Sequence, residues 1–241
     1  MGGTTEASLL AVAVARAGLA ATLSYAGRVA DPRPQPVPTR IGGFGGVDGL
    51  LRYLRDHRIT HLIDATHPFA AQMSHHAVLA ATQTGTPLIA LQRPPWQTGR
   101  TDRWVSVPDI PAAVAALHGP PQNVFLAIGR QHLAPFAAQP QHHYILRLVD
   151  PPDALPLPRC TAVIARGPFA EADDIDLLKA YEIDTIIAKN AGGSGAEAKL
   201  IAARHLGLPV ILIDRPALPE RRVTDSIEGV MTWLHAAPRG V

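Results

Sequence analysis

Asp64-Ala65-Thr66-His67-Pro68 sets a carboxylate, a hydroxyl and an imidazole within five residues, directly after the apolar run Leu62-Ile63. A charged residue closing a buried strand is a poor choice for packing alone. A hydroxyl and an imidazole at a helix N-terminus suit an anion or a polar ligand edge, because free N–H groups and the helix dipole point there. His67 titrates near neutrality and is a candidate proton donor. The local alternative is that Asp64 satisfies neighbouring backbone donors and Thr66 acts as a cap. A second stretch, Lys189-Asn190-Ala191-Gly192-Gly193-Ser194-Gly195, also follows an apolar run. Its glycines let successive N–H groups converge on an anion, and Lys189 and Lys199 add charge. With Lys179 these are the only lysines in a chain otherwise reliant on arginine. The stretch lacks the glycine-to-lysine spacing of a Walker loop.

Two further places have a nucleotide character. Gly2-Gly3-Thr4-Thr5-Glu6-Ala7 reads as a glycine turn opening a helix, with a tight turn capped by Thr4 or Thr5 as the plain alternative. Such a turn normally follows a buried strand, and here only Met1 precedes it. Ser24-Tyr25-Ala26-Gly27-Arg28 falls where a dinucleotide fold reads the adenosine ribose. An acidic residue there would favour NAD; Ser24 and Arg28 favour the 2′-phosphate of NADP. Arg130, in Ile128-Gly129-Arg130-Gln131, and Arg166, in Ala165-Arg166-Gly167-Pro168-Phe169, suit carboxylates, which arginine grips through two donors.

Other chemistries fare worse. The adjacent pairs His75-His76 and His142-His143 point apart on a helix or strand and lack metal-ligand spacing. There is no G-x-S-x-G elbow, and Cys160 has no motif around it. No tyrosine has a lysine four residues on, against a short-chain dehydrogenase. A net charge of +2 and 5% aromatic residues do not support a nucleic-acid surface. No apolar run approaches a membrane span, and Leu9–Ala15 lacks the basic flank of a signal peptide. One cysteine in 241 residues excludes an internal disulfide and fits a cytoplasmic protein.

The elements that must position these residues alternate. Strand candidates are Ala20–Tyr25, His61–Ala65, Pro87–Leu91, Trp104–Val107, Val124–Ile128, Tyr144–Leu148, Ala162–Ala165, Thr185–Ala188 and Val210–Ile213. Helical patterns fall at Thr5–Ala17, Val47–His57, Pro68–Thr84, Ile110–Leu117, Gln131–Ala137, Ala170–Tyr181, Ser194–Leu206 and Ser226–His235. Continuous apolar strands between amphipathic helices imply parallel sheets covered on both faces. The expected fold is α/β, two Rossmann-like doubly wound parallel-sheet domains, 1–100 and 101–241, joined at the proline-rich Arg93–Thr101. Gly18 and Gly207 stop helices, Ser194 with Glu197 reads as a capping box, and Asp31–Pro38 is an extended loop.

Together the ordered turns GGTTEA, SYAGR, RIGGFGG, DATHPFA, LAIGRQ, ARGPF and AKNAGGSGAEAK resemble the precorrin-6A reductase family of cobalamin biosynthesis, from Gly2 to about Arg215. The family pattern differs in having an apolar strand before the first turn, and often serine where Ala191 stands. The resemblance implies two Rossmann-like domains with the active site between them, and NADPH-dependent reduction of precorrin-6A, or its cobalt-bearing equivalent, to precorrin-6B; no metal is expected, because the hydride chemistry belongs to the cofactor. On this reading Gly2, Gly3, Thr4, Thr5, Ser24 and Arg28 hold NADPH, with Asp64, Ala65, Thr66 and Pro68 near the nicotinamide. Arg130, Arg166, Lys189, Asn190, Gly192, Gly193 and Lys199 face the carboxylates of the tetrapyrrole-derived substrate, and His67 or Lys189 gives the proton. The competing expectations are a non-catalytic nucleotide- or tetrapyrrole-binding module and an NADP-dependent reductase of small carbonyl compounds.

Overall fold

The computed structural model describes residues 1–27, 34–152, 154–155, 157–165, 167 and 169–236. Its elements begin with α1 (Thr5–Arg16), β1 (Leu23–Tyr25), β2 (Thr39–Ile41), α2 (Gly46–Asp56), β3 (Leu62–Asp64), α3 (Ala71–Thr84) and β4 (Leu88–Leu91). Next come β5 (Arg103–Val107), α4 (Ile110–Ala115), β6 (Asn123–Ala127), β7 (His143–Leu148) and β8 (Cys160–Ile164). The chain finishes with α5 (Glu171–Ala180), β9 (Thr185–Lys189), α6 (Ala198–Leu206), β10 (Pro209–Ile213), β11 (Val223–Thr224) and α7 (Ile227–Ala236). These divide into two compact units: Met1–Pro94 with Ala217–Val241, and Pro95–Pro216.

In the first unit β1 pairs with β2, while β4 pairs with both β3 and β11, all parallel. Met1 and Gly2 join the two pieces. The Met1 amino group donates to Ile63 O at 2.9 Å, the Ala65 N–H donates to Met1 O at 3.0 Å, and the Gly2 N–H donates to Ser24 O at 3.0 Å. Met1 and Gly2 thus stand in the place of the strand that the glycine turn requires, bonded on both sides. With them counted, the spatial order is β2, β1, Met1–Gly2, β3, β4, β11, the arrangement of a dinucleotide-binding fold. Glycine at position 2 is a packing need: a Cβ there would lie 2.6 Å from Leu23 Cδ1 and 2.8 Å from Ala7 Cβ. One core gathers Leu10, Ala11 and Val14 of α1 with Ile89, Leu91, Val230 and Trp233. A second gathers Leu50, Leu51 and Leu54 of α2 with Leu62, Ala77, Ala80 and Ala81.

The second unit is a six-stranded parallel sheet in the order β5-β10-β9-β6-β7-β8. Taken from β6 onward this is the same order, with β5, which comes first in the chain, filling the sixth place. Its central strands are buried on both faces, as Val124, Phe125, Leu126, Ile186, Ile187 and Ala188 show, which is why they read as unbroken apolar runs.

Several local expectations differ from the structure. A single crossing near residue 100 was expected, whereas the chain leaves the first unit after Pro94 and returns at Ala217. The two-residue β11 and the three-residue β2 are too short to leave a periodic signal. The helix expected from Pro68 starts at Ala71, because the Ala70 N–H closes a turn onto His67 O at 2.7 Å. Ser194 and Glu197 form no capping box; a 3-10 turn over Ser194–Ala196 intervenes and α6 starts at Ala198. Pro135 breaks the expected helix 131–137 into two 3-10 turns.

Candidate functional site

In sheets of this order ligands gather at the carboxyl ends of the strands, where successive crossovers turn opposite ways. In the first unit that point lies between Met1–Gly2 and β3, and it brings the GGTTEA and DATHPFA turns together. Thr4 Oγ1 donates to Ala65 O at 2.9 Å and accepts from the Ala7 N–H at 3.1 Å, so one hydroxyl caps α1 and ties both turns. Gly3 has φ +118 and open space where a Cβ would stand. The N–H groups of Thr5 and Glu6 lie in the first turn of α1, where no intrahelical acceptor exists. Exposed left-handed glycine backbone leading into a helix N-terminus is the cradle a pyrophosphate needs, so these residues fit a dinucleotide. The charge of Glu6 beside such a group is countered by Arg93, whose Nη1 lies 2.6 Å from its carboxylate.

At the adenosine end, Arg28 lies outside the described residues. Ser24 lies at the end of β1, and its hydroxyl accepts from Arg40 Nη1 at 3.2 Å. Arg40, on β2, also donates to the carbonyls of Gly42 and Gly43 and lies over the Phe44 ring, 3.9 Å from its centroid. This arginine escaped the sequence reading because β2 did; only its place before GGFGG marked it. Gly49 of α2 lets the Phe44 backbone approach, since a Cβ would stand 1.5 Å from Phe44 O.

Asp64 is 2% exposed and faces inward. Its Oδ1 accepts from the Thr66 N–H at 3.2 Å and hydroxyl at 2.7 Å, and its Oδ2 from the Ser74 hydroxyl at 2.6 Å. It therefore holds the Thr66 turn against α3. Arg221 approaches the same carboxylate at 3.9 Å and donates through Nη2 to Gln92 Oε1 at 3.0 Å. Its side chain is 6% exposed, and its Nε and Nη1 are buried without an acceptor. Leaving buried donors unpaired costs about 1–3 kcal/mol each. His67 is exposed, and its Nδ1 accepts from the Phe69 N–H at 3.2 Å, which leaves the proton of the neutral ring on Nε2. Pro68, buried, sits in the turn before α3.

In the second unit the equivalent point lies between β6 and β9, which pair from Val124 with Thr185 to Ala127 with Ala188. The turn carrying Gly129 and the exposed Arg130 therefore neighbours the Lys189–Gly193 turn. The latter is held from several sides. The Asn190 amide accepts from the Trp96 N–H at 2.8 Å and donates to Trp96 O at 3.1 Å. The Trp96 indole donates to Gly193 O at 3.0 Å, and Arg215 donates to the carbonyls of Asn190 and Ala191. Lys199 is 4% exposed, donates to Ala196 O and lies 4.8 Å from the Trp96 ring centroid. Asn190 and Lys199 are thus engaged inside the turn, while Lys189 is only half-buried, and Gly192 and Gly193 have φ +69 and +74. Trp96 and Arg215 flank the site from loops with no motif of their own. Arg166 lies outside the described residues. The neighbouring Phe169 stacks under Arg147 at 4.0 Å, and Arg147 is paired with buried Asp174.

Among the described residues no three of His, Cys, Asp and Glu gather as a metal-binding group, and no helix is long and apolar enough to cross a membrane.

Known proteins match the whole of this arrangement. The family described as precorrin-6x reductase CbiJ/CobK matches residues 1–235. A precorrin-6A reductase of Rhodobacter capsulatus is 62% identical over 245 residues, spanning 100% of this chain and 98% of its own. One from Mycobacterium tuberculosis is 39% identical, spanning 99% and 97%. A cobalt-precorrin-6A reductase of Priestia megaterium is 28% identical, spanning 97% and 96%. A solved structure described as CobK precorrin-6A reductase superposes with a TM-score of 0.94 at 62% identity, covering 100% of this chain and 97% of that one. With the family matched over residues 1–235 and 62% identity across the full chain, the chain belongs to the precorrin-6x reductases.

Proposed function

We propose that this chain reduces precorrin-6A to precorrin-6B in cobalamin biosynthesis, with NADPH as the hydride donor. The first unit holds the nucleotide and the second the carboxylates of the macrocycle. The observation that carries the reading is the exposed left-handed Gly3 at the start of α1, with Thr4 tying that turn to the end of β3. Gly2, Gly3, Thr4 and Thr5 receive the pyrophosphate, and Ser24 with Arg40 receives the 2′-phosphate side of the ribose. Ala65, Thr66 and Pro68 line the nicotinamide end, and Asp64 fixes the turn that carries them. Arg130, Lys189 and the Gly192-Gly193 backbone meet acetate and propionate groups, while Asn190 and Lys199 hold that turn in shape.

When bound, the nicotinamide supplies the hydride, and the protein's part is position and charge. Saturating one double bond of the macrocycle takes a hydride on one atom and a proton on its neighbour. His67, with its proton on Nε2, and Lys189 are the candidate donors. The cobalt-free substrate is favoured by the relatives. Those named precorrin-6A reductase stand at 39% to 62% identity, and those named cobalt-precorrin-6A reductase at 28% to 30%.

The test is anaerobic mixing of the protein with precorrin-6A or cobalt-precorrin-6A and either NADPH or NADH, following the spectra of both reactants. The expected result is oxidation of NADPH fastest with precorrin-6A. Nucleotide binding without oxidation by either authentic macrocycle would make the chain a binding module instead.

A further inference from the structure

We propose that Arg221 is a positioning residue for the nucleotide end of the first unit, acting through Asp64; the inference rests on the reading that this unit binds NADPH. Arg221 arrives from the far end of the sequence, two residues before β11, after the whole second unit has intervened. Its side chain is 6% exposed, yet among the described residues the fold uses it sparingly: a hydrogen bond to Gln92 Oε1, and Nε and Nη1 that meet no acceptor. An arginine placed only to fill space would be replaced with gain by an aliphatic side chain. What this one contributes is a fixed positive charge 3.9 Å from Asp64 Oδ2.

Asp64 is the hub that charge acts on. It holds the Thr66 N–H, the Thr66 hydroxyl and the Ser74 hydroxyl at once. The carbonyl of the next residue, Ala65, receives the Thr4 hydroxyl of the glycine turn. A cation 3.9 Å from Oδ2 helps hold the carboxylate in the orientation that its three donors require. Without it, the Asp64 carboxylate is free to rotate, and the Thr66 turn and its tie to Thr4 loosen together. Arg221 thus shapes the nucleotide turn without touching the nucleotide.

The experiment compares wild type with Arg221→Met, Arg221→Lys, Asp64→Asn and the Asp64→Asn/Arg221→Met double variant. Three quantities are read: the melting temperature, the NADPH dissociation constant, and amide hydrogen exchange over residues 65–70. Arg221→Met leaves the buried Asp64 carboxylate without its cation and is expected to lower the melting temperature. It is also expected to weaken NADPH binding about tenfold and to speed exchange at Thr66, the mark of a misplaced turn. Arg221→Lys restores most of both. In the Asp64→Asn background the Arg221 change adds nothing further, since the two act as one. A purely structural Arg221 would lower the melting temperature and leave NADPH affinity and exchange at Thr66 as in wild type. Unchanged affinity and unchanged exchange in Arg221→Met, or additive effects in the double variant, would overturn the proposal. If wild type itself binds no NADPH, the functional reading fails, and the exchange measurement still decides whether Arg221 orders the Thr66 turn.

Discussion

Thr4→Val keeps the shape of a side chain that links the two halves of the nucleotide site and removes only its hydroxyl. That hydroxyl accepts from the Ala7 N–H at 3.1 Å and donates to Ala65 O at 2.9 Å. Loss of the helix cap costs about 1 kcal/mol. Ala65 is 2% exposed, so its carbonyl has little access to water, and losing its donor costs about 1 kcal/mol more. The sum, about 2 kcal/mol, lowers the melting temperature by about 4–8 °C in a chain of this size. Because both bonds fix the turn proposed to receive the pyrophosphate, NADPH affinity is expected to fall about tenfold, equivalent to about 1.4 kcal/mol. Thr4→Ser retains the hydroxyl and stays close to wild type in both. Circular-dichroism melts and titration of NADPH fluorescence read the two effects. A valine variant that melts and binds like wild type, or a serine variant as impaired as valine, would refute the reasoning.

Arg40→Met removes the guanidinium beside Ser24. A lost charged hydrogen bond of about 1.5–3 kcal/mol predicts roughly 10- to 100-fold weaker NADPH binding. NADH binding stays unchanged, and equal losses for both nucleotides would contradict the assignment. Asp174→Leu alone strands Arg147, whose side chain is 8% exposed, and is expected to cost about 3–5 kcal/mol by denaturant titration, with Arg147→Met/Asp174→Leu recovering most of it. His61 stacks edge-on against Trp233, its Nε2 is buried without a partner, and burial pushes its pKa below the usual histidine value. Its folded pKa is thus below its unfolded one, so its contribution is complete above about pH 6.5 and is lost as pH falls through the lowered value. Melts across that range should show a steeper acid decline in wild type than in His61→Phe; parallel curves would remove His61 from the account.

How much of this was legible follows from what leaves a trace in a sequence. The buried strands Asn123–Ala127 and Thr185–Lys189 are visible because burial on both faces demands a nearly unbroken apolar run. Turns at their carboxyl ends were legible as glycine and charge clusters, and topology then brings Arg130 beside the Lys189 turn. β2 and β11 were not legible, since two or three residues carry no period. Missing β11 hid the return of the chain to the first unit, and with it Arg221. Asp64 was found by its type, but its inward role depends on Ser74 and Arg221, which no local motif announces. Asn190 stood out beside Lys189; that it clasps the Trp96 backbone is a contact across ninety-four residues and belongs to the fold alone.

The central claim is tested most directly by a single anaerobic turnover with NADPH carrying deuterium at the transferable position of the nicotinamide. The account predicts one oxidised nucleotide per macrocycle reduced and one deuterium on a carbon of the precorrin-6B formed. Absence of turnover with authentic precorrin-6A, or a product whose new hydrogens all come from solvent, would contradict direct hydride transfer by this protein.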